Sequence, residues 1–269
     1  MSRYVNEFSD WTGDRVVHCI GSNAQSDILP FQAWQHFKEA FAPELLKRAI
    51  EESEIPVHTC VDPFGGSGTT ALACQFLGVE PTTIEINPYL CDLIEAKLSS
   101  YNADVLARDF GTILSKSRKS CDLKSWRICL PPTFIQPGKK ERWLFNSDVA
   151  DEVFRIRIAI ESLASESHQR FFRVQLGGIL GAVSNVRTSG KGRRYRSGWA
   201  DRNTSRLLVR TLFTEVTQRA ILEVHRFPNA QTGACQRREL LRRAPPIANR
   251  NPARDSVNPH LMIFIRLES

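Results

Sequence analysis

Apolar and polar positions change period several times along this chain, and each change marks an element. Residues 1–30 are mixed and weakly patterned. From Phe31 to Glu52, FQAWQHFKEAFAPELLKRAIEE reads as helix broken at Pro43, a proline suited to the first turn of ELLKRAIEE. IPVHTCVD follows as a short β-branched strand, then a glycine turn, and TTALACQFL is helical up to a C-capping Gly78. TTIEI is a second short strand, and PYLCDLIEAKLSSY is a helix opened by Pro88. Strand, turn, helix and strand in this order open a parallel α/β sheet.

The middle of the chain is helical. Val149, Val153, Ile156, Ile160 and Leu163 share one helical face, with Ser147 or Asp148 as N-cap. HQRFFRVQLGGILGAVSNV continues as apolar helix, RTSGKGRRYRSGWADRNTSR is a basic glycine-rich loop, and LLVRTLFTEVTQRAILEVHRF returns to helix before Pro228. The pattern predicts an N-terminal segment (1–30), an α/β domain (31–135), a helical insertion with a basic loop (136–236) and an atypical tail (237–269). Past Gln236 the basic residues are arginines apart from His260, prolines are frequent, and an apolar end has no evident role.

Composition narrows the class. Across 269 residues, 42% hydrophobic and 24% charged content is ordinary for a globular protein. No apolar run approaches the roughly 20 residues of a membrane helix, and MSRYVNEFSDWTGD lacks a signal-peptide core, so the expected location is the cytoplasm. Seven scattered cysteines without a CxxC pair suggest reduced, mostly buried thiols and no metal site. His168 and His225 sit in helical runs and read as surface or core histidines rather than ligands. Thirty-six Lys+Arg against 29 Asp+Glu give a net charge of +7, which favours an anionic partner, most often nucleic acid.

The glycine turn VDPFGGSGTT carries the sharpest signal. A phosphate loop needs a lysine beside its last glycine, where this chain has Thr69, and Gly65-Gly66-Ser67-Gly68 matches a dinucleotide fingerprint poorly. What fits is a strand ending in Asp62, a tight turn into a helix, and a second acid, Glu85, ending the next strand about 20 residues on, as in a ribose contact. Backbone N–H groups would then face a ligand's carboxylate end, and Glu85 would be shared by two ribose hydroxyls.

DPFGGSGTT followed by GVEPTTIEINP closely resembles the cofactor motifs of S-adenosylmethionine-dependent DNA methyltransferases acting on exocyclic amino groups. The resemblance implies a Rossmann-like methyltransferase sheet with a helical insertion, and S-adenosylmethionine as cofactor. It assigns Asp62, Pro63, Phe64, Gly65, Gly66, Ser67, Gly68 and Thr69 to the methionine part, and Glu85, with Asn87 in the same motif, to the ribose. HFKEAFAPELLKRAI resembles the family's pocket-closing segment, with Phe41 and Pro43 as its best-matched residues. The implied partners are DNA and a restriction endonuclease.

Methyl transfer to an amino nitrogen also needs acceptors for its N–H groups and an aromatic that stacks on the flipped base. The family supplies them with an acidic, Asn or Ser residue, two prolines and an aromatic. CLPPTF has Leu130 at the acceptor position and Thr133 at the stacking position, and RAPPIA has Ala244 and Ile247 there. Catalytic residues are therefore unassigned. RWLFN (Arg142–Asn146) and SNVR (Ser184–Arg187) look like features that precede the catalytic loop in relatives, which places that loop after about Phe227. The expectation is a tail out of frame or truncated after Gln236. In RTSGKGRRYRSGWADR, Arg187, Lys191, Arg193, Arg194, Tyr195 and Arg196 form the candidate DNA-gripping set. An active DNA methyltransferase, a cofactor- and DNA-binding remnant without turnover, and methylation of RNA or a small molecule all stay open.

Overall fold

The computed structural model describes residues 3–23, 25–119, 130–138, 142–189, 192–199, 205–228 and 264–266. The chain divides into two compact units, Met1–Tyr101 with Arg226–Ser269, and Asn102–His225. Among the described residues no helix is long and apolar enough to cross a membrane.

The first unit is mixed α/β. Helix α1 (Arg3–Thr12) precedes α2 (Glu44–Glu51), β1 (Thr59–Asp62), α3 (Thr69–Leu77), β2 (Glu80–Thr83) and α4 (Pro88–Leu98). Strands β1 and β2 are parallel, with Thr59 opposite Glu80 and Asp62 opposite Thr83. The sheet order is β2-β1-β5, where β5 (Phe264–Arg266) runs antiparallel to β1. The apolar tail end that the sequence pattern left without a role thus supplies a strand. Pro81 is tolerated within β2 because, among the described residues, β2 is an edge of this sheet, where a missing N–H costs no ladder bond.

Sequence pattern and structure agree closely at α3. Gly68 and Gly78 flank it in left-handed conformation, with φ of 80° and 71°. Its residues from Thr69 to Phe76 are all buried, so α3 is the covered crossover between the parallel strands. Trp11 of α1 stacks on Phe76 at 4.4 Å and donates its indole N–H to Pro30 O, while Phe227 meets both Phe31 and Phe76 edge-on. Each such ring pair adds about 0.5–1.5 kcal/mol beyond the area it buries.

Two expectations for this unit fail. The first thirty residues are not featureless: α1 forms there because Phe8 and Trp11, one turn apart, both find core. The helix expected from Phe31 is confined to α2; Phe31–Ala42 is turns with one 3₁₀ turn, Gln32–Trp34. Phe31 takes a φ of 66°, costly for a bulky residue, and is fully buried. Core packing of Phe31 and Trp34 overrides the local helix propensity.

The second unit is helical with one hairpin: α5 (Ala103–Lys116), α6 (Ser147–Glu161), α7 (Glu166–Val183), β3 (Val186–Ser189), β4 (Gly192–Tyr195) and α8 (Arg206–Arg226). Asn102 caps α5 through the Asp104 and Val105 N–H groups, and Ser165 caps α7. Helix α6 begins at Ser147 with Asn146 as N-cap, one residue earlier than expected. The basic stretch read as a loop is instead an antiparallel hairpin pairing Val186 with Tyr195 and Ser189 with Gly192.

Candidate functional site

The C-terminal ends of β1 and β2 meet the glycine turn through backbone bonds. Ile84 N–H donates to Asp62 O, and Gly65 N–H to Ile84 O, both at 2.9 Å. The Asp62 carboxylate, 6% exposed, accepts the Phe64 N–H at 3.0 Å. Across the turn, Glu85 Oε2 accepts the Gly66 N–H and Oε1 accepts the Asn87 N–H, both at 2.8 Å. Asn87 in turn caps α4 by accepting the Tyr89 N–H. One carboxylate thus ties the turn after β1 to the start of the helix after β2.

The glycines are required at this turn. A Cβ on Gly65 would collide with Thr83 Cγ2, and one on Gly68 would lie 2.9 Å from Ile94 Cγ1. Gly66 has a φ of 52°, and a Cβ there would lie 3.1 Å from the Phe37 ring. Ser67 and Thr69 are buried and share a hydrogen bond at 3.3 Å. Pro63 is half-buried. In contrast, Phe64 and Ile86, which follow β1 and β2, are 59% and 76% exposed. Pro43 is the buried N-cap of α2 and Phe41 is half-buried; the residue of that segment that meets the turn is Phe37.

Sequence reading missed one group here. Lys97, 1% exposed on α4, donates to Ser67 O at 2.7 Å and to Gln32 Oε1 at 3.0 Å. Its charge-assisted bond fixes the peptide just before Gly68. The available signal was a lysine inside the buried stripe of Leu93, Ile94, Ala96 and Leu98, where an ammonium needs fixed acceptors. Tyr89 donates its hydroxyl to Gln35 Oε1, and burial pushes its phenol well above the ordinary range.

In the second unit the structure joins the two sequence features RWLFN and SNVR. Asn146 Oδ1 accepts from Trp143 Nε1 at 2.9 Å and from Asn185 Nδ2 at 3.0 Å, and the Asn185 N–H donates to Leu144 O. This use of the Asn146 side chain accounts for the absence of a side-chain cap on α6. Trp199 contacts both Trp143 and Tyr195 with ring centroids 4.8 Å apart, and Arg142 lies over the Tyr195 ring. Of the candidate DNA-gripping residues, Arg187 and Arg194 are exposed and directly paired across the hairpin. Arg196 instead donates to the Gly181 and Ser184 carbonyls at the end of α7. Lys191 and the side chain of Arg193 lie outside the described residues. So does most of CLPPTF's approach, although Leu130–Phe134 is described: Pro131 O accepts the Phe134 N–H, and Thr133 O the Leu144 N–H. RAPPIA lies wholly outside them.

Comparison with known proteins agrees on the first unit. Residues 7–96 match the family model described as DNA methylase. The type II methyltransferase M.MjaII of Methanocaldococcus jannaschii is 30% identical over 83 residues, covering 31% of this chain and 16% of that protein. M.BsoBI of Geobacillus stearothermophilus is 35% identical over 34% of this chain and 18% of its own length. M.XycI of Xanthomonas campestris pv. cyanopsidis is 39% identical over 29% of this chain and 25% of its own length. The matched stretches thus span a quarter or less of these relatives. No solved structure matches. The glycine turn and its paired acids lie within the stretch, residues 7–96, that is similar to the DNA methylase family.

Proposed function

We propose that the chain binds S-adenosylmethionine at the C-terminal end of β1 and β2, on a Rossmann-like sheet, and methylates an amino group of adenine or cytosine in DNA. The observation that carries this reading is the Glu85 carboxylate, oriented by the Gly66 and Asn87 N–H groups, one per oxygen. Each oxygen keeps acceptor capacity, so the carboxylate suits two neighbouring ribose hydroxyls. Phe64 and Ile86 offer exposed apolar surface at the ends of adjoining strands, suited to the flat face of adenine. Gly65, Gly66 and Gly68 let the turn pack closely on Thr83, Phe37 and Ile94, and its backbone lies where the methionine part would sit, with Asp62, Pro63, Ser67 and Thr69 shaping the turn. Phe41 and Pro43 belong to the segment beside it. When bound, the cofactor supplies an electrophilic methyl group on a sulfonium.

Arg187, Lys191, Arg193 and Arg194 on the basic hairpin, with Tyr195 beside them, suit DNA phosphates and bases. Arg187 and Arg194 face each other across the register, a like-charge pair that an anion relieves. Arg196 supports the hairpin through its bonds to α7. Because the similar proteins are named type II methyltransferases, a restriction–modification setting with a partner endonuclease, in the cytoplasm, is part of this proposal.

A second reading, cofactor and DNA binding without turnover, is favoured by the two-proline turn. Leu130 offers no acceptor side chain there, and Pro131 O is already used by Phe134 N–H. Calorimetric titration of the full chain with S-adenosylmethionine, followed by transfer of a labelled methyl group to DNA, separates the two. Binding with DNA-dependent transfer supports the enzyme; binding alone supports the second reading. Phe64→Ser, at an exposed position, should weaken binding about tenfold without unfolding the chain. Absence of any binding overturns both.

A further inference from the structure

A cavity of about 310 Å³ in the second unit is lined by Ser117 and Arg118 after α5, Glu152 and Arg155 on α6, and Arg206 and Arg210 on α8. The spacing explains how each helix delivers a pair: residues three or four apart on a helix share one face. Glu152 is 2% exposed and is paired with Arg210, whose Nη2 lies 2.6 Å from its Oε1. Arg210 Nη2 also donates to Ser117 O at 3.2 Å, and Arg155 Nη1 to Lys119 O at 2.8 Å. Arg206 lies 3.0 Å from Asp148 and 3.8 Å from Asp151.

Among the described residues, the charges lining this cavity do not balance. With Arg206 assigned to its two aspartates, Arg118, Arg155 and Arg210 share the cavity with Glu152, the one carboxylate among its described lining residues. Among the described residues Arg155 Nε is buried without a hydrogen-bond partner, and Glu152 Oε1 meets Arg210 as an ion pair without hydrogen-bond geometry, so the network does not satisfy itself. Burial pushes the Glu152 carboxyl up, against the opposite pull of Arg210, Arg155 and Arg206. An anion with several acceptor oxygens would offer these guanidinium groups the acceptors that the described residues do not.

We propose that this cavity binds a phosphate group, held chiefly by Arg118, Arg155 and Arg210. Guanidinium forks match phosphate oxygens in geometry and charge, and the cavity volume exceeds that of one phosphate and admits its adjoining ester. The phosphate belongs either to a nucleic-acid backbone or to a free phosphorylated compound. The site uses none of the residues at the ends of β1 and β2, so it stands apart from the cofactor reading.

The test is the thermal midpoint of the full chain titrated with inorganic phosphate, against chloride at equal ionic strength. Phosphate should raise the midpoint of the natural chain. Arg118→Gln and Arg155→Gln should each weaken apparent phosphate affinity about tenfold. Glu152→Gln, which removes the one buried negative charge but keeps the shape, should strengthen it. No phosphate-specific shift, or a shift unchanged in both arginine variants, overturns the proposal. A short DNA duplex identifies the source in the same variants. Loss of DNA affinity in parallel with phosphate affinity assigns the phosphate to DNA, and unchanged DNA affinity assigns it to a free phosphorylated compound.

Discussion

The glycine turn of the first unit and the hairpin of the second both present charge, but they hold it in opposite ways. Glu85 is fixed by two N–H donors before any ligand arrives, and the turn beneath it is pinned by Lys97. Among the described residues, strand register alone sets Arg187 and Arg194 opposite each other with like charge. A preoriented acceptor pair loses little freedom on binding and reads ligand shape. A mutually repelling pair of long side chains gains from any polyanion and reads little beyond charge. Specific small-molecule recognition fits the first arrangement and phosphate-backbone binding the second.

Substitutions can break each side of this contrast. The largest effect should come from Gly65→Val, because a side chain there collides with Thr83. We expect a loss of about 3 kcal/mol in urea unfolding, with the helices of the second unit unaffected. Lys97→Met keeps the stem but leaves Ser67 O without its ammonium donor. Cofactor affinity should fall about tenfold in calorimetry, with thermal stability lowered by only a few degrees. An unchanged affinity would mean that the turn needs no pinning.

The hairpin should respond more gently. Arg187→Ser or Arg194→Ser should weaken DNA binding a few-fold and lower the salt-dependence slope by about one. Either change should also stabilise the hairpin slightly by removing the like-charge pair, by about 0.2–1 kcal/mol. Cofactor affinity should not move. The smallest effect concerns Glu152, whose carboxyl burial holds above the ordinary 4.5. Its folded form keeps a proton that the unfolded chain releases more readily. The stability it contributes is therefore present below the unfolded value and lost as pH rises through the folded one. Unfolding measured across that interval should show a falling slope that Glu152→Gln flattens.

The glycine turn was legible in the sequence because backbone geometry dictates its residue types. Left-handed φ at Gly66, Gly68 and Gly78, and the close approach of Thr83 and Ile94, leave little choice. That Asp62 ends β1 and Glu85 lies just past β2 was legible from the strand pattern around the turn. Contacts made across the fold were not. Nothing local marks Phe37 as the ring above Gly66, or Trp11 as the partner of Phe76. The basic stretch was visible as charge, but its hairpin depends on pairing between residues that show no alternating pattern. The arginines around Glu152 come from three separate segments, so only the packing of α5, α6 and α8 brings them together.

The most direct test of the central claim is calorimetric titration of S-adenosylmethionine into the full chain and into Glu85→Gln. The substitution keeps one acceptor oxygen and removes the charge, so the account predicts measurable binding by the natural chain and at least about tenfold weaker binding by the variant. Equal affinity in both proteins, or no heat of binding in either, would contradict the assignment of Glu85 and of the strand ends as the cofactor site.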